Sequence, residues 1–289
     1  MTLPPPDGSR DRRIEDPSNL YLIHPAGRSL LPVAIRAGVS ANMVSITGLL
    51  LGAFAAVAFV KGSHPALALV GLVFAIGWLI ADGLDGMIAR ATGTASPLGR
   101  ALDGMCDHGV FALIYLSLAW TTGTLEGWVL AVVASAAHAV QSSLYEGERA
   151  RFHRRARGIA LIAPPPIVGG PLVQLYDTVS TSLDRIAMPF ERRLSASADP
   201  VGFGRAYAAA AIGPMKLMTL LTANVRVLAI FVACLLGDPR VFWWFEIVPL
   251  TVVAIVGILW HRRVERAAAP IAAAEDRPAA IFIAKEQGQ

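Results

Sequence analysis

Apolar residues fall into six stretches of about 20, the length at which a helix crosses the hydrocarbon core of a bilayer. They are Ala41 to Val60, Ala66 to Ala89, Pro97 to Trp120, Leu125 to Tyr145, Pro214 to Leu236 and Val241 to Trp260. This pattern predicts an all-α integral membrane protein of six transmembrane helices, with one long polar-rich insertion, residues 146–213, between helices 4 and 5. Upstream, Leu20, Leu22, Ile23, Leu30, Leu31, Val33 and Ile35 are interspersed with Arg28 and Arg36. That mixture predicts an interfacial helix ahead of the first span, broken or bent by Pro25 and Pro32.

The flanking segments read differently. Residues 1–17 hold several prolines and mixed charges without an apolar core, so they are expected to form a disordered cytoplasmic leader rather than a signal peptide. The membrane domain then covers 18–266, and 267–289 form a cytoplasmic tail to which no function is assigned. The insertion opens with Arg149, Arg151, His153, Arg154, Arg155 and Arg157, a cluster expected to anchor on anionic lipid. Pro164 to Pro166 and Gly169 to Pro171 mark a linker. Leu172 to Leu194 carries a helical apolar stripe, which predicts an amphipathic helix limited or kinked by Pro189.

With 55% apolar and 16% charged residues, the composition excludes an ordinary soluble domain. Short connections after the first, third and fifth spans hold few basic residues. The opposite side carries Arg36, Arg90, Arg100, the Arg149 to Arg157 cluster and His261 to Arg266. By the positive-inside rule both termini are expected on the cytoplasmic side; the membrane is expected to be of the bacterial inner-membrane type. Trp120, Trp128, Trp243, Trp244 and Trp260 fall at span ends, as an aromatic belt would place them. Cys106 and Cys234 lie towards opposite surfaces and are read as small apolar fillers, not a disulfide.

Four acids disturb this apolar pattern. Asp82, Asp85, Asp103 and Asp107 sit among spanning residues, where an ionised side chain costs at least ~2.5 to 3.5 kcal/mol. At 100° per residue, Asp82, Gly86 and Ala89 share a helical face with Asp85 at its shoulder. Gly99, Asp103 and Asp107 stack on successive turns of the next helix. Ser96 and Pro97 read as its N-cap and first helical residue, after a turn at Gly93. Two helices can thus aim their acids into one space near one membrane surface. Oxygen ligands alone suit Mg²⁺, Mn²⁺ or Ca²⁺ rather than zinc. Gly86, Ala89 and Gly99 clear side chains from these faces and let a bulky ligand approach.

Together these residues form the pattern Asp-x2-Asp-Gly-x2-Ala-Arg-x8-Gly-x3-Asp-x3-Asp, from Asp82 through Gly86, Ala89, Arg90 and Gly99 to Asp107. In this the chain resembles the CDP-alcohol phosphotransferase family. The likeness runs from about residue 20 to 265 and includes the upstream Ser40, Asn42, Val44 and Ser45. The resemblance implies a membrane enzyme that displaces CMP from a CDP-linked lipid, of CDP-diacylglycerol type, with the hydroxyl of a polar alcohol. It implies two divalent cations, Mg²⁺ or Mn²⁺, held by Asp82, Asp85 and Asp103, with Asp107 as general base lying near the metals as well. It places Gly86, Ala89, Arg90 and Gly99 against the CDP-lipid, and it suggests a homodimer. Arg90 can contact phosphate or tie the helix end to an acid.

Within the resembling family the acceptor varies. Basic residues tilt the reading towards a phosphorylated alcohol such as inositol phosphate or glycerol 3-phosphate, bound by Arg149, Arg151 and Arg226. Arg226 lies inside the fifth span and must face the bundle interior, as a phosphate contact or in a structural ion pair with a residue such as Glu146. Asn224 is expected in an interhelical hydrogen bond, and His138 as a satisfied interior histidine. The alternatives are an intramembrane prenyltransferase with Asp-rich metal motifs and a divalent-cation transporter. Transport favours inverted repeats and broken helices, which the sequence does not display. No nucleic-acid partner is expected.

Overall fold

The computed structural model describes residues 11–161 and 187–268, and every regular element among them is helical. A short π-helical turn, Asn19–Ile23, leads into α1 (His24–Arg36). α2 (Ala41–Phe59), α3 (Pro65–Ala91), α4 (Pro97–Thr122) and α5 (Leu125–Ala156) follow. After these come α6 (residues 187–195), α7 (Pro200–Ala210), α8 (Ile212–Met218), α9 (Ala223–Leu235), α10 (Arg240–Ile247) and α11 (Pro249–Ala267). Among the described residues, five helices or continuous helix pairs are long and apolar enough to span a bilayer, and the α8 to α9 pair makes six if taken as one bent span.

The chain divides into two compact units. The first comprises 1–149 and 212–260, and the second 150–211 and 261–289. In the first unit, α2 packs against α3 and α4, α1 lies on α3, and α9 touches α3 and α10. α2 earns its central place through small residues: Val44, Ser45, Gly48, Gly52, Ala55, Ala56 and Phe59 are buried at helical spacing. A side chain at Gly52 would collide with Val110 of α4, so the absence of a Cβ sets how closely these helices approach. Opposite faces carry Leu50, Phe54, Val57, Leu69 and Val73 outward, the arrangement lipid requires.

Three features differ from the sequence expectation. The leader is structured earlier than expected, since Ile14, Glu15 and Asp16 are buried and the Asp16 carboxylate accepts from the backbone N–H of Ser18 at 2.8 Å. The fifth span is not one straight helix: Thr222 takes an extended conformation (φ −74°, ψ 157°), and the helices on either side meet at 42°. α5 runs to Ala156, eleven residues beyond the expected end of the fourth span. Elsewhere the local signals hold. Ser96 caps α4 by accepting from Gly99 N at 3.0 Å, and Gly93 adopts φ 67° in the preceding turn. Pro25 sits in the first turn of α1, where its missing N–H costs nothing, while Pro32 lies inside the helix.

The second unit has its own core of Phe152, Phe190, Leu194, Phe203 and Tyr207, with Phe190 and Phe203 stacked at 5.2 Å. Arg155 is fully buried there: its guanidinium pairs with Glu191 at 2.8 Å and with Glu265, and lies 4.5 Å from the Phe190 ring centroid. Arg193 donates to the carbonyls of Glu265 at 2.6 Å and Ala268 at 2.8 Å, satisfying carbonyls at the α11 terminus. The basic cluster therefore does not act as a whole in anchoring lipid. Arg151 and Arg155 are interior, and Arg154 pairs with Glu191 at 2.5 Å. The linker and most of the expected amphipathic helix fall at 162–186, outside the described residues, but 187–195 are helical and include Pro189.

Candidate active site and metal centre

α3 and α4 converge at the ends joined by the Gly93 turn. Asp82 and Asp85 lie in the last three turns of α3, and Asp103 and Asp107 in the first three of α4. Carboxylate oxygens of Asp82, Asp103 and Asp107 all come within 4.8 Å of one another. Asp85 is 4% exposed, and one of its oxygens accepts a short hydrogen bond from the Ser45 hydroxyl of α2. Three acids thus form the cluster, and the fourth stands beside it, neighbouring Asp103 and held by α2. The sequence placed all four on converging faces; the division between clustered and tethered acids emerges only in three dimensions.

The small motif residues have local reasons. Arg90, on the surface at the end of α3, folds back along the helix so that its Nη1 would lie 3.1 Å from a Cβ at Gly86. Gly86 therefore gives the guanidinium a path along the acid-bearing face. Gly99 stands in the first turn of α4, where an added Cβ would lie 3.2 Å from Ser96 Oγ and 3.6 Å from Asn42 Oδ1. Ala89 is half-buried on α3. The upstream Ser40, Asn42, Val44 and Ser45 stretch is thus brought to the motif: Ser40 caps α2, Asn42 approaches Gly99, Val44 packs with Leu84 and Ile88, and Ser45 reaches Asp85.

Asp107 has a partner that the motif does not contain. The indole Nε1–H of Trp78 donates to its Oδ1 at 3.0 Å. A sequence signal for this exists, because Trp78 is the one tryptophan of six that lies in mid-span rather than in the expected belt, and a buried indole N–H needs an acceptor.

Arg226 is not at this cluster. It is wholly buried, with Nε 3.0 Å from Glu246 Oε1, Nη2 2.8 Å from Gln141 Oε1, and Nη1 donating to the Leu221 carbonyl. The ion-pair alternative holds, with Glu246 in place of Glu146, and an acceptor contact for Arg226 is withdrawn. The guanidinium also serves the bent span, because the Leu221 carbonyl adjoins the break at Thr222 and an unpaired carbonyl at membrane depth is costly. His138 Nδ1 lies 3.9 Å from Glu246 Oε1. Asn224 bonds the N-terminal segment, donating to Ser18 Oγ at 2.6 Å and Asn19 Oδ1 at 2.7 Å, rather than another span. Arg149 pairs with Glu146 at 2.9 Å. We expect Arg226→Ala to leave acceptor KM unchanged and to lower stability by about 3 to 5 kcal/mol, because Glu246 would remain buried and unpaired. Thermal unfolding in detergent alongside acceptor kinetics checks this; a raised acceptor KM at unchanged stability would reverse the assignment.

The donor set suits a hard cation. Three carboxylates supply oxygen ligands at mutually compatible distances, with no thiol or imidazole among them, and without a cation their charges would oppose burial. Residues 39–158, which include α2 to α4 and every motif position, match the family model described as CDP-alcohol phosphatidyltransferase. No curated protein and no solved structure matches the chain.

Proposed function

We propose, from the match of residues 39–158 to the CDP-alcohol phosphatidyltransferase family, that the chain transfers a phosphatidyl group from CDP-diacylglycerol to a polar alcohol. The family match supports an enzyme acting on a CDP-linked donor, and the described residues hold five to six candidate membrane spans. The observation that carries the finer reading is the convergence of Asp82, Asp103 and Asp107 at the joined ends of α3 and α4.

In the proposed reaction the acceptor hydroxyl oxygen forms a bond to the phosphatidyl phosphorus, and the bond from that phosphorus to the oxygen shared with CMP breaks. Asp107 takes the hydroxyl proton as the new P–O bond forms. Asp82, Asp103 and Asp85 would hold Mg²⁺ or Mn²⁺, which when bound neutralises pyrophosphate charge and stabilises departing CMP. Ser45 holds Asp85 through its hydroxyl. Gly86 and Gly99 keep the faces beside the acids clear for the nucleotide lipid, and Arg90 lies along the Gly86 face as a hydrogen-bond donor to phosphate. The site opens to the cytoplasmic leaflet in this reading, with both termini on that side, and the enzyme is a homodimer.

A phosphorylated acceptor such as inositol phosphate or glycerol 3-phosphate remains the preferred class. With Arg226 engaged by Glu246, that preference rests on basic residues such as Arg149. The bent α8 to α9 pair is a broken span of the kind transporters use. Here Arg226 occupies the carbonyl beside the break, and the acids lie on α3 and α4 instead. The decisive assay supplies purified protein with CDP-diacylglycerol and a panel of alcohols, and measures CMP. Release that needs both Mg²⁺ or Mn²⁺ and one acceptor supports the proposal. Cation flux into sealed vesicles without CMP release would assign transport, and consumption of a prenyl pyrophosphate would assign prenyl transfer.

A further inference from the structure

We propose that Trp78 is a positioning residue that fixes the orientation of the Asp107 carboxylate. Trp78 lies on α3 one turn before Asp82, and the residue is 2% exposed. It is wedged from two sides. Phe111 of α4 meets it edge-on, with centroids 5.2 Å apart at 83°, and on α2 a Cβ at Gly48 would lie 3.4 Å from its Cδ1. A Cβ there would be in ordinary van der Waals contact with the indole, so α2 lies close against that side of the ring.

That N–H reaches Asp107 Oδ1 at 3.0 Å. Indole has one donor and no acceptor, so this bond satisfies it completely. For the carboxylate the consequence is directional. A half-turn about Cβ–Cγ only exchanges two equivalent oxygens; the wedged donor opposes the intermediate angles, at which neither oxygen would face it, because an unpaired indole N–H inside a span is costly. Oδ2 is then the oxygen left uncommitted to the indole, in a fixed position relative to Asp82 and Asp103. The helix that carries Asp82 and Asp85 thereby also sets the aim of an acid on α4. Pre-orientation of this kind lowers the barrier to proton transfer without adding affinity for substrate.

The inference rests on the reading of Asp107 as the reactive carboxylate, which Asp107→Asn tests alone. Trp78→Phe keeps an aromatic ring and removes the donor. It should lower kcat on the order of 10- to 100-fold, the loss expected for a hydrogen bond to a charged group, while the CDP-lipid KM stays within about twofold. Combined with Asp107→Asn, it should cause no further loss, since both substitutions remove one function. Multiplicative losses would overturn the proposal and make Trp78 a packing residue. An independent readout is the indole ¹⁵N–¹H spectrum of full-length, tryptophan-labelled protein in nanodiscs. The Trp78 signal, assigned by Phe substitution of the other five tryptophans, should shift in Asp107→Ala, which removes the acceptor, without substrate or metal. An unmoved signal would refute the contact even if Trp78→Phe failed to accumulate.

Discussion

Asp107→Asn should reduce turnover on the order of 10²- to 10⁴-fold, the usual contribution of a positioned general base, while CDP-lipid binding is largely retained. Asparagine preserves shape and can still accept from the Trp78 indole, so the cluster should persist. Only the capacity to take a proton disappears. A base matters in the chemical step more than in the ground state, so rate and affinity should separate. CMP release under single-turnover conditions, with donor binding measured in parallel, makes the comparison. Equal losses of affinity and rate would describe Asp107 as a metal ligand and not as the base.

A second large effect is expected at Asp103, which faces both acids of α3 from the start of α4. Asp103→Asn should weaken Mn²⁺ binding and lower CMP release by about 10² to 10³, in the range found when one electrostatic contact to developing charge is removed. Unlike the Asp107 variant, it should be partly restored by raising the metal concentration. Mn²⁺ binding followed by electron paramagnetic resonance separates affinity from chemistry. Full CMP release by Asp103→Asn in the presence of chelator would remove the metal from the mechanism.

Much of this arrangement is legible before any coordinates, for identifiable reasons. Asp82, Gly86 and Ala89 share a face because helical periodicity is fixed, and Ser96 caps α4 because the hydroxyl, Pro97 and Gly93 form a local signal. What escapes the sequence depends on partners distant along the chain. Arg226 demands an anion, yet nothing in its neighbourhood distinguishes Glu246 from Glu146; the choice follows from how α9 meets α10. The tether from Ser45 to Asp85 joins residues 40 positions apart. The bend at Thr222 is equally hidden, because hydropathy averages over a backbone break that a side chain from the next turn has satisfied. Buried Arg155 shows the converse error, in which a run of basic residues reads as surface although one of them forms the centre of a core.

The pairing of Arg226 with Glu246 also bears on how the polypeptide enters the bilayer. The fifth span leaves the ribosome first, carrying a guanidinium whose counter-ion lies 20 residues downstream. Alone at the membrane centre, that segment would bear the ~2.5 to 3.5 kcal/mol insertion cost of an arginine, with the carbonyl beside its break also in need of the same side chain. Between the two helices the chain reverses through Gly237, at φ 72°, and Pro239. The last two spans are thus suited to partition as a hairpin, the acid and base neutralising one another before either meets lipid.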